Sequence, residues 1–420
     1  MTNLPENWAQ RKLDAICSVY QSKTISTKEL VEDGRYAVYG ANGEIGRYNK
    51  YNHTDSEVLI TCRGATCGRI NVSRPFSWIN GNAMVVHPHS NNLRKDFLYY
   101  YLTSINFAPY ISGSAQPQIT RVSLQQLKLP LPPLAEQGRI VAKIEELFAG
   151  IDAGIENLKS VKNQIALYRQ SVLKSAFEKT FKNVPLVEIT SKIGSGSTPK
   201  GGKENYQQSG IPIIRSMNVL MNNFTEKGLA FLNDAQAKAL NNVILKKNDV
   251  LLNITGASIG RTCVLPEKYI GARVNQHVSI IRPKKEIDSF FLSYFLSSPK
   301  IQAKITLENY GATRQALTKS ALEAFQIPVP TLAEQEKIVA EIESRFERAD
   351  ALETAVDRAL NDAEKLKQAV LKKAFSGELV PQNPDDEPAS VLLDRIRAAR
   401  ASELPAKKGK RKKTEVDSQL

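Results

Sequence analysis

The sequence predicts an α/β (α+β) protein. Two mixed α/β globular domains are separated by an antiparallel pair of long coiled-coil helices, with internal two-fold pseudosymmetry. Three observations lead there. One phrase occurs twice, PLAEQGRIVAKIE from Pro133 and TLAEQEKIVAEIE from Thr331, and the copies align without gaps at an offset of 198 residues. Each phrase opens a stretch whose apolar residues recur at alternating steps of three and four, the seam of a coiled coil. Before each stretch lie short apolar runs bounded by polar loops, the mark of strands and turns.

The same offset pairs VLKSAF (172–177) with VLKKAF (370–375) and GSAQPQIT (113–120) with GATRQALT (311–318). Slightly different offsets relate GATCGR (64–69) to GASIGR (256–261) and NGNAMVVHP (80–88) to NQHVSIIRP (275–283). The chain is therefore one unit written twice: domains at 1–132 and 184–330, helices at 133–183 and 331–380, and a final segment at 381–420 with a short docking helix and a disordered basic tail.

In the first domain, SEVLITC (56–62) and AMVVH (83–87) read as strands and DFLYYYLTS (96–104) as a helix. VYGANGEIGRYNKYN (38–52) reads as a polar loop around a tight Asn42-Gly43 turn. The first rod carries Ile140, Ile144, Leu147, Ile151, Ile155, Leu158, Val161, Ile165, Tyr168 and Val172 along its apolar stripe. In the second domain, VLLNIT (250–255) and VSIIRP (278–283) read as strands and SFFLSYFLSS (289–298) as a helix. The second rod carries Ile338, Ile342, Phe346, Ala349, Leu352, Val356, Leu360, Ala363, Leu366 and Val370. Thr331 and Glu334 have the spacing of a capping box, and Gly377 suits a helix C-terminus. A narrow apolar stripe needs a partner, and the other rod supplies it. A coiled coil that only dimerises two chains is the competing reading. The segment around Val391, Leu392 and Ile396 is expected to dock on the body.

Hydrophobic residues make up 42% of the 420, enough for real cores, and the formal charge is +14. Six of the positives sit in KKGKRKK (407–413), opposed near that end by Glu403, Glu415 and Asp417, so most of the excess belongs to the rest of the chain. A body this basic suits a polyanion, most commonly nucleic acid. No apolar run is long enough to span a bilayer, and the N-terminus lacks a signal-peptide pattern, so a cytoplasmic protein is expected. Cys17, Cys62, Cys67 and Cys263 lack the spacing of a zinc site and read as buried or half-buried thiols.

Catalytic motifs fail one by one. GSGSTPKGGK (194–203) resembles a phosphate loop, but Gly202 stands where the lysine is required and Glu204 follows Lys203. The Asn-Pro-Pro-aromatic cradle of an amine methyltransferase is absent, and Asn383-Pro384 lies in a Pro/Asp-rich linker. A recognition protein is favoured over an enzyme.

The layout resembles the specificity subunit of type I restriction–modification enzymes, over nearly the whole chain to about residue 400. The pieces that carry the resemblance are the two LAEQ-x-[RK]-IV-x-x-IE helix starts, YAVYGANGEIGRYNKY, GSGSTPKGGKENY with GIPIIRSMNV, and LKKAFSGELV followed by VLLDRIRAAR. The resemblance implies a non-catalytic DNA-binding subunit. Each globular domain would be a target-recognition domain reading half of a split target in double-stranded DNA. The helices would set the gap between the halves and dock two adenine methyltransferase subunits, with motor–nuclease subunits completing the enzyme. S-adenosylmethionine, ATP and Mg would belong to those partners, and no cofactor to this chain. The alternatives are a stand-alone coiled-coil DNA-binding regulator without enzymatic partners, and a scaffold for RNA or another acidic partner.

Candidate DNA-binding residues are polar side chains in loops or at strand ends, types that bond base edges or phosphates. In the first domain they are Asn42, Arg47, Tyr48, Lys50, Arg63, Arg69, Asn82, Gln116, Gln118 and Arg121. In the second they are Ser197, Thr198, Lys200, Arg215, Asn218, Arg261, Asn275, Gln276, Arg314 and Gln315. Gly64, Gly68, Gly256 and Gly260 are expected to shape turns rather than touch DNA.

Overall fold

The computed structural model describes residues 4–113, 116–198, 206–308 and 316–403. Its contacts divide the chain into two compact units, Met1–Asn157 with Leu360–Leu420, and Leu158–Ala359. Both boundaries fall inside long helices. Each unit contains one end of each helix.

In the first unit, a four-stranded antiparallel sheet runs in the order Cys17–Gln21, Ala83–Pro88, Val58–Thr61, Ile70–Val72. Val58–Thr61 is buried on both faces, which is why it reads as an unbroken apolar run. A second sheet places Tyr36–Gly40 between Gly43–Tyr48, antiparallel, and Trp78–Ile79, parallel. The expected loop at 38–52 is thus largely a hairpin whose two-residue turn is Ala41-Asn42, with Gly40 paired to Gly43. Glycines at 40, 43 and 46 dilute the strand signal, because glycine is depleted in strands.

The second unit repeats both sheets. Thr190–Ser195, Val278–Pro283, Val250–Asn253 and Thr262–Val264 form the larger, and Ala230–Leu232, Ile211–Ile214 and Arg273–Val274 the smaller, again with a parallel last pair. Helix Lys95–Ser104 in the first unit corresponds to Ser289–Leu296 in the second, where a further helix, Pro299–Glu308, follows directly.

The long helices are Leu134–Ala176 and Leu332–Ser376. At 1.5 Å per residue each is about 65 Å long. Within each unit they run antiparallel. In the first unit Lys367 reaches Asp152 at 2.5 Å. In the second, Lys162 reaches Asp357 at 2.7 Å, and Arg169 bonds Glu353 at 2.7 Å and also Asp350. Ile140, Ile144, Leu371 and Ala374 join the first core, and Val172, Leu173, Val339 and Ile342 the second. Tyr168, Leu352 and Leu366 of the apolar stripes stay exposed, at 43%, 49% and 53%. A helix of 3.6 residues per turn drifts off a strict seam, so some seam positions end outside.

The aromatic clamp on these helix ends is also duplicated. Phe375 packs on Phe97 and Tyr101 in the first unit; Phe177, its repeat partner, packs on Phe291 and Phe295 in the second. Tyr100–Phe148 likewise corresponds to Tyr294–Phe346. Helix Ala389–Glu403 buries Ala389, Leu392 and Ile396 in the first core beside Leu13 and Ile16, while Val391 is 37% exposed. The tail at 404–420, including KKGKRKK, lies outside the described residues.

A buried ion pair occurs in both sheets with different chemistry. In the second unit the fully buried Asp249 carboxylate accepts from the Arg282 guanidinium at 2.6 and 2.8 Å and from the Lys246 amide at 2.7 Å. In the first, Glu57 accepts from His87 at 2.9 Å and from Lys95 at 3.2 Å. Asp249→Ala leaves a half-buried guanidinium without its partner. We expect a loss of about 3–5 kcal/mol, read as a lower urea midpoint.

Candidate nucleic-acid interface

The two units present the same loop frame with different side chains. In the first unit the loop 62–69 joins two strands of the larger sheet. Its backbone is fixed by Thr61 N to Arg69 O at 2.8 Å, Gly68 N to Thr61 O at 2.8 Å, Cys62 N to Asn82 O at 3.2 Å and Ile119 N to Cys62 O at 3.0 Å. In the second unit the four bonds recur as Asn253 N to Arg261 O at 2.8 Å, Gly260 N to Asn253 O at 2.9 Å, Ile254 N to His277 O at 3.0 Å and Leu317 N to Ile254 O at 2.8 Å. The expected turn glycines are left-handed in both copies, Gly64 and Gly68 at φ 89° and 92°, Gly256 and Gly260 at 72° and 87°. A side chain with a Cβ is strained there.

Around this frame the first unit gathers six of its candidates. Asn42, at the hairpin tip, accepts a hydrogen bond from Thr66. Arg63 bridges to Gln118. Gly64 N donates to Pro117 O at 3.0 Å, which brings in the neighbouring Gln116. Arg69 and Asn82 hold the loop through their carbonyls, as above, and all six residues are exposed. The other four stand apart. Arg47 donates from Nε to Gly34 O at 2.6 Å and from Nη2 to Arg35 O at 3.2 Å, closing the other end of the hairpin. Tyr48 packs edge-on against Trp78, Lys50 is exposed beyond the strand, and Arg121 is exposed at the first turn of helix Arg121–Gln125.

The second rim gathers Thr198, Gln276 and Arg261. Thr198 donates to Gln276, whose amide lies 3.2 Å from the His277 ring, and His277 meets Thr255 on its other nitrogen. Ser197 and Arg261 are exposed. Lys200, Arg314 and Gln315 lie outside the described residues. Three candidates have structural work instead. Asn218 is fully buried, accepting from Arg215 N at 3.1 Å and donating to Thr225 O at 3.0 Å. Asn275 is buried and accepts from His277 N at 3.1 Å. Arg215 lies over the Tyr206 ring at 5.2 Å and donates to Gly228 O. Their side chains shape turns, so we correct the reading of Asn218 and Asn275 as contacts and leave Arg215 as a half-buried brace.

The sequence reading missed His277 and Thr255. In the repeated frame His277 takes the place of Asn82 and Thr255 that of Arg63. Asn275 instead matches buried Asn80, which accepts from Ile25 N at 2.9 Å. It also missed the glutamines of the LAEQ phrase. Gln137 and Gln335 are fully buried. Gln137 accepts from Arg94 N at 2.9 Å and donates to Asn92 O at 3.1 Å and Pro132 O at 3.2 Å. Gln335 accepts from Asp288 N at 2.8 Å and donates to Glu286 O and Pro330 O, both at 3.0 Å. Each glutamine ties the start of a long helix to the globular part of its own unit.

The preceding glutamates diverge. Glu334 completes the expected capping box, accepting from Thr331 N at 3.0 Å. Glu136 is buried, accepting from Trp8 Nε1 at 3.0 Å and Gln382 Nε2 at 2.6 Å, and burial pushes its carboxyl above the usual range. The thiols are packing groups: Cys17, Cys62 and Cys263 are buried and Cys67 half-buried, and burial lifts Cys263 to about 12.

Three comparisons bear on this geometry. Residues 5–163 and 178–361 match the family model described as the type I restriction modification DNA specificity domain. The EcoBI type I restriction enzyme specificity subunit of Escherichia coli is 30% identical over 80% of this chain and 78% of its own length. The EcoKI specificity subunit of Escherichia coli strain K12 is 28% identical over 94% of this chain and 86% of its own. A solved chain from work on complex assembly and conformational transition of the type I R-M system shares the fold, with a TM-score of 0.68 at 21% identity, covering 90% of this chain and all of that one.

Proposed function

Because the chain belongs to the type I restriction modification DNA specificity family, we propose that its two units read the two halves of a bipartite DNA target. The observation that carries this is the repeated rim. One hydrogen-bonded frame presents Arg63 and Asn82 in one unit where it presents Thr255 and His277 in the other, with Arg69 and Arg261 common to both. A shared frame with unlike polar groups suits two related tasks on different base sequences. The antiparallel helices set the unread gap, as two-fold proteins set half-site distance. Tyr168 and Leu366, equivalent in the repeat and both exposed, offer one apolar contact per unit to two methyltransferase chains. Motor–nuclease subunits complete the enzyme, and S-adenosylmethionine, ATP and Mg serve the partner chains, where base extrusion and methyl transfer take place.

The repeat also sorts the arginines. Arg69 and Arg261 follow the second left-handed glycine in both copies, so they serve whatever the half-sites share, which is phosphate. Arg69→Ala or Arg261→Ala should weaken binding to every duplex and lower the salt slope by about one. Arg63→Ala, with no arginine at its counterpart, should cost about 1–3 kcal/mol and relax one base position in one half only. Fluorescence anisotropy across a panel of duplexes distinguishes the two patterns. The function itself is tested by co-purification. A methyltransferase chain in a 2:1 ratio, with sequence-selective retention of duplex DNA, supports it. Selective retention without such a chain favours the stand-alone regulator.

A further inference from the structure

Phe76 has a left-handed backbone, φ 51°, and a side chain 51% exposed. Apart from Asn222 and Asn248, it is the sole non-glycine residue with positive φ among the described residues. Asparagine tolerates this region and a bulky aromatic does not. The repeat supplies the control. Phe76 lies two residues before the parallel strand Trp78–Ile79; Gly271 lies two residues before the corresponding Arg273–Val274, at φ 89°. A Cβ on Gly271 would meet nothing within 4 Å, so the backbone angle alone favours glycine there. The fold asks for a left-handed residue at this point, and the first unit fills it with an exposed phenylalanine.

The surroundings say what such a side chain faces. Phe76 packs edge-on against Tyr51 at 5.4 Å, and Tyr51 against Tyr36 at 5.0 Å. The Arg35 guanidinium lies 5.4 Å from the Tyr36 ring centre. Arg35, Lys50 and Arg74 are exposed on the same segments. Glu32, Asp33 and Asp55 share those segments, so the cations act by position rather than by bulk charge. The backbone is held firmly: Phe76 N donates to Thr54 O, and His53 and Ser77 exchange two bonds, all at 3.1 Å.

We propose that Phe76 is an aromatic wedge that presses against a base step of the DNA duplex held by the first unit, with Arg35, Lys50 and Arg74 on the flanking phosphates. Apolar side chains used this way partly unstack a step, and exposed backbone strain of this kind gathers at binding sites. The second unit, with Gly271, lacks the wedge. The inference rests on the DNA reading above and adds a contact that the rim residues do not supply.

The test uses the full chain with the methyltransferase that co-purifies with it and a fluorescein-labelled mixed-sequence duplex, measured by anisotropy at several salt concentrations. Phe76→Gly restores the second unit's residue, so the thermal midpoint should hold or rise while affinity falls about tenfold, the order of one lost aromatic–base contact. The salt slope should not change, because no phosphate contact is lost. Phe76→Ala should lose the same affinity, and Arg74→Ala should lower the slope by about one. Wild-type affinity in Phe76→Gly overturns the proposal, as does intact DNA binding with loss of the co-purifying chain, which would make the patch a protein contact. A wild-type complex that binds no duplex would instead remove the DNA reading itself, and the wedge with it.

Discussion

Gln335→Ala is expected to lower the stability of the second unit by about 2–4 kcal/mol, and Gln137→Ala that of the first by a similar amount. Each substitution deletes one buried and two part-buried hydrogen bonds and takes the glutamine partner from one amide and two carbonyls. A buried group left unsatisfied costs about 1–3 kcal/mol, and losses above 4 kcal/mol are rare for one substitution. The functional consequence should be one-sided. Gln137 joins the first unit's helix end to its own globular part, and Gln335 does the same in the second. Gln137→Ala should blur or abolish one half of the target and leave the other readable; Gln335→Ala should do the reverse. Denaturant midpoints measure the first effect, and binding to duplexes altered in one half measures the second. Glu334→Ala, which removes only an exposed cap, should lower the denaturant midpoint less than either glutamine substitution.

Lengthening both long helices by seven residues, after Asn157 and after Ala359, should lengthen the unread gap without changing either half-site. Seven residues add about 10 Å of helix, about three base pairs at 3.4 Å each. A whole heptad keeps the apolar stripe in phase, and insertion in both helices preserves the pairs from Lys162 to Asp357 and from Arg169 to Asp350. Insertion into one helix alone puts these partners out of register. It should abolish assembly rather than shift the gap. The readout is the motif around methylated adenines in cells carrying each variant.

The rods were legible from their periodicity and the central strands from unbroken apolar runs. Val58–Thr61, Ala83–Pro88, Val250–Asn253 and Val278–Pro283 are apolar runs of strand length, and Leu134–Ala176 and Leu332–Ser376 keep one apolar stripe. The hairpin at 36–48 was hidden by its glycines. Asn218 and Asn275 look like base readers because asparagine in a turn has the same composition whether its amide faces solvent or its own backbone. Only the hydrogen-bond partners separate the two cases. Aligning NGNAMVVHP with NQHVSIIRP already sets His277 opposite Asn82; it was missed because the neighbouring Asn275 and Gln276 are the side-chain types that most readily read base edges. The buried roles of Gln137 and Gln335 were in plain view as identical letters, but a polar residue at a helix start gives no sequence sign that it faces inward. The left-handed turn at Phe76 has no sequence signature.

Mapping methylated adenines in host DNA, with and without this chain, tests the central claim most directly. The account predicts a motif that disappears with the chain and consists of two specified words separated by a fixed run of unspecified bases. A motif that persists without the chain, or one uninterrupted word, would contradict it.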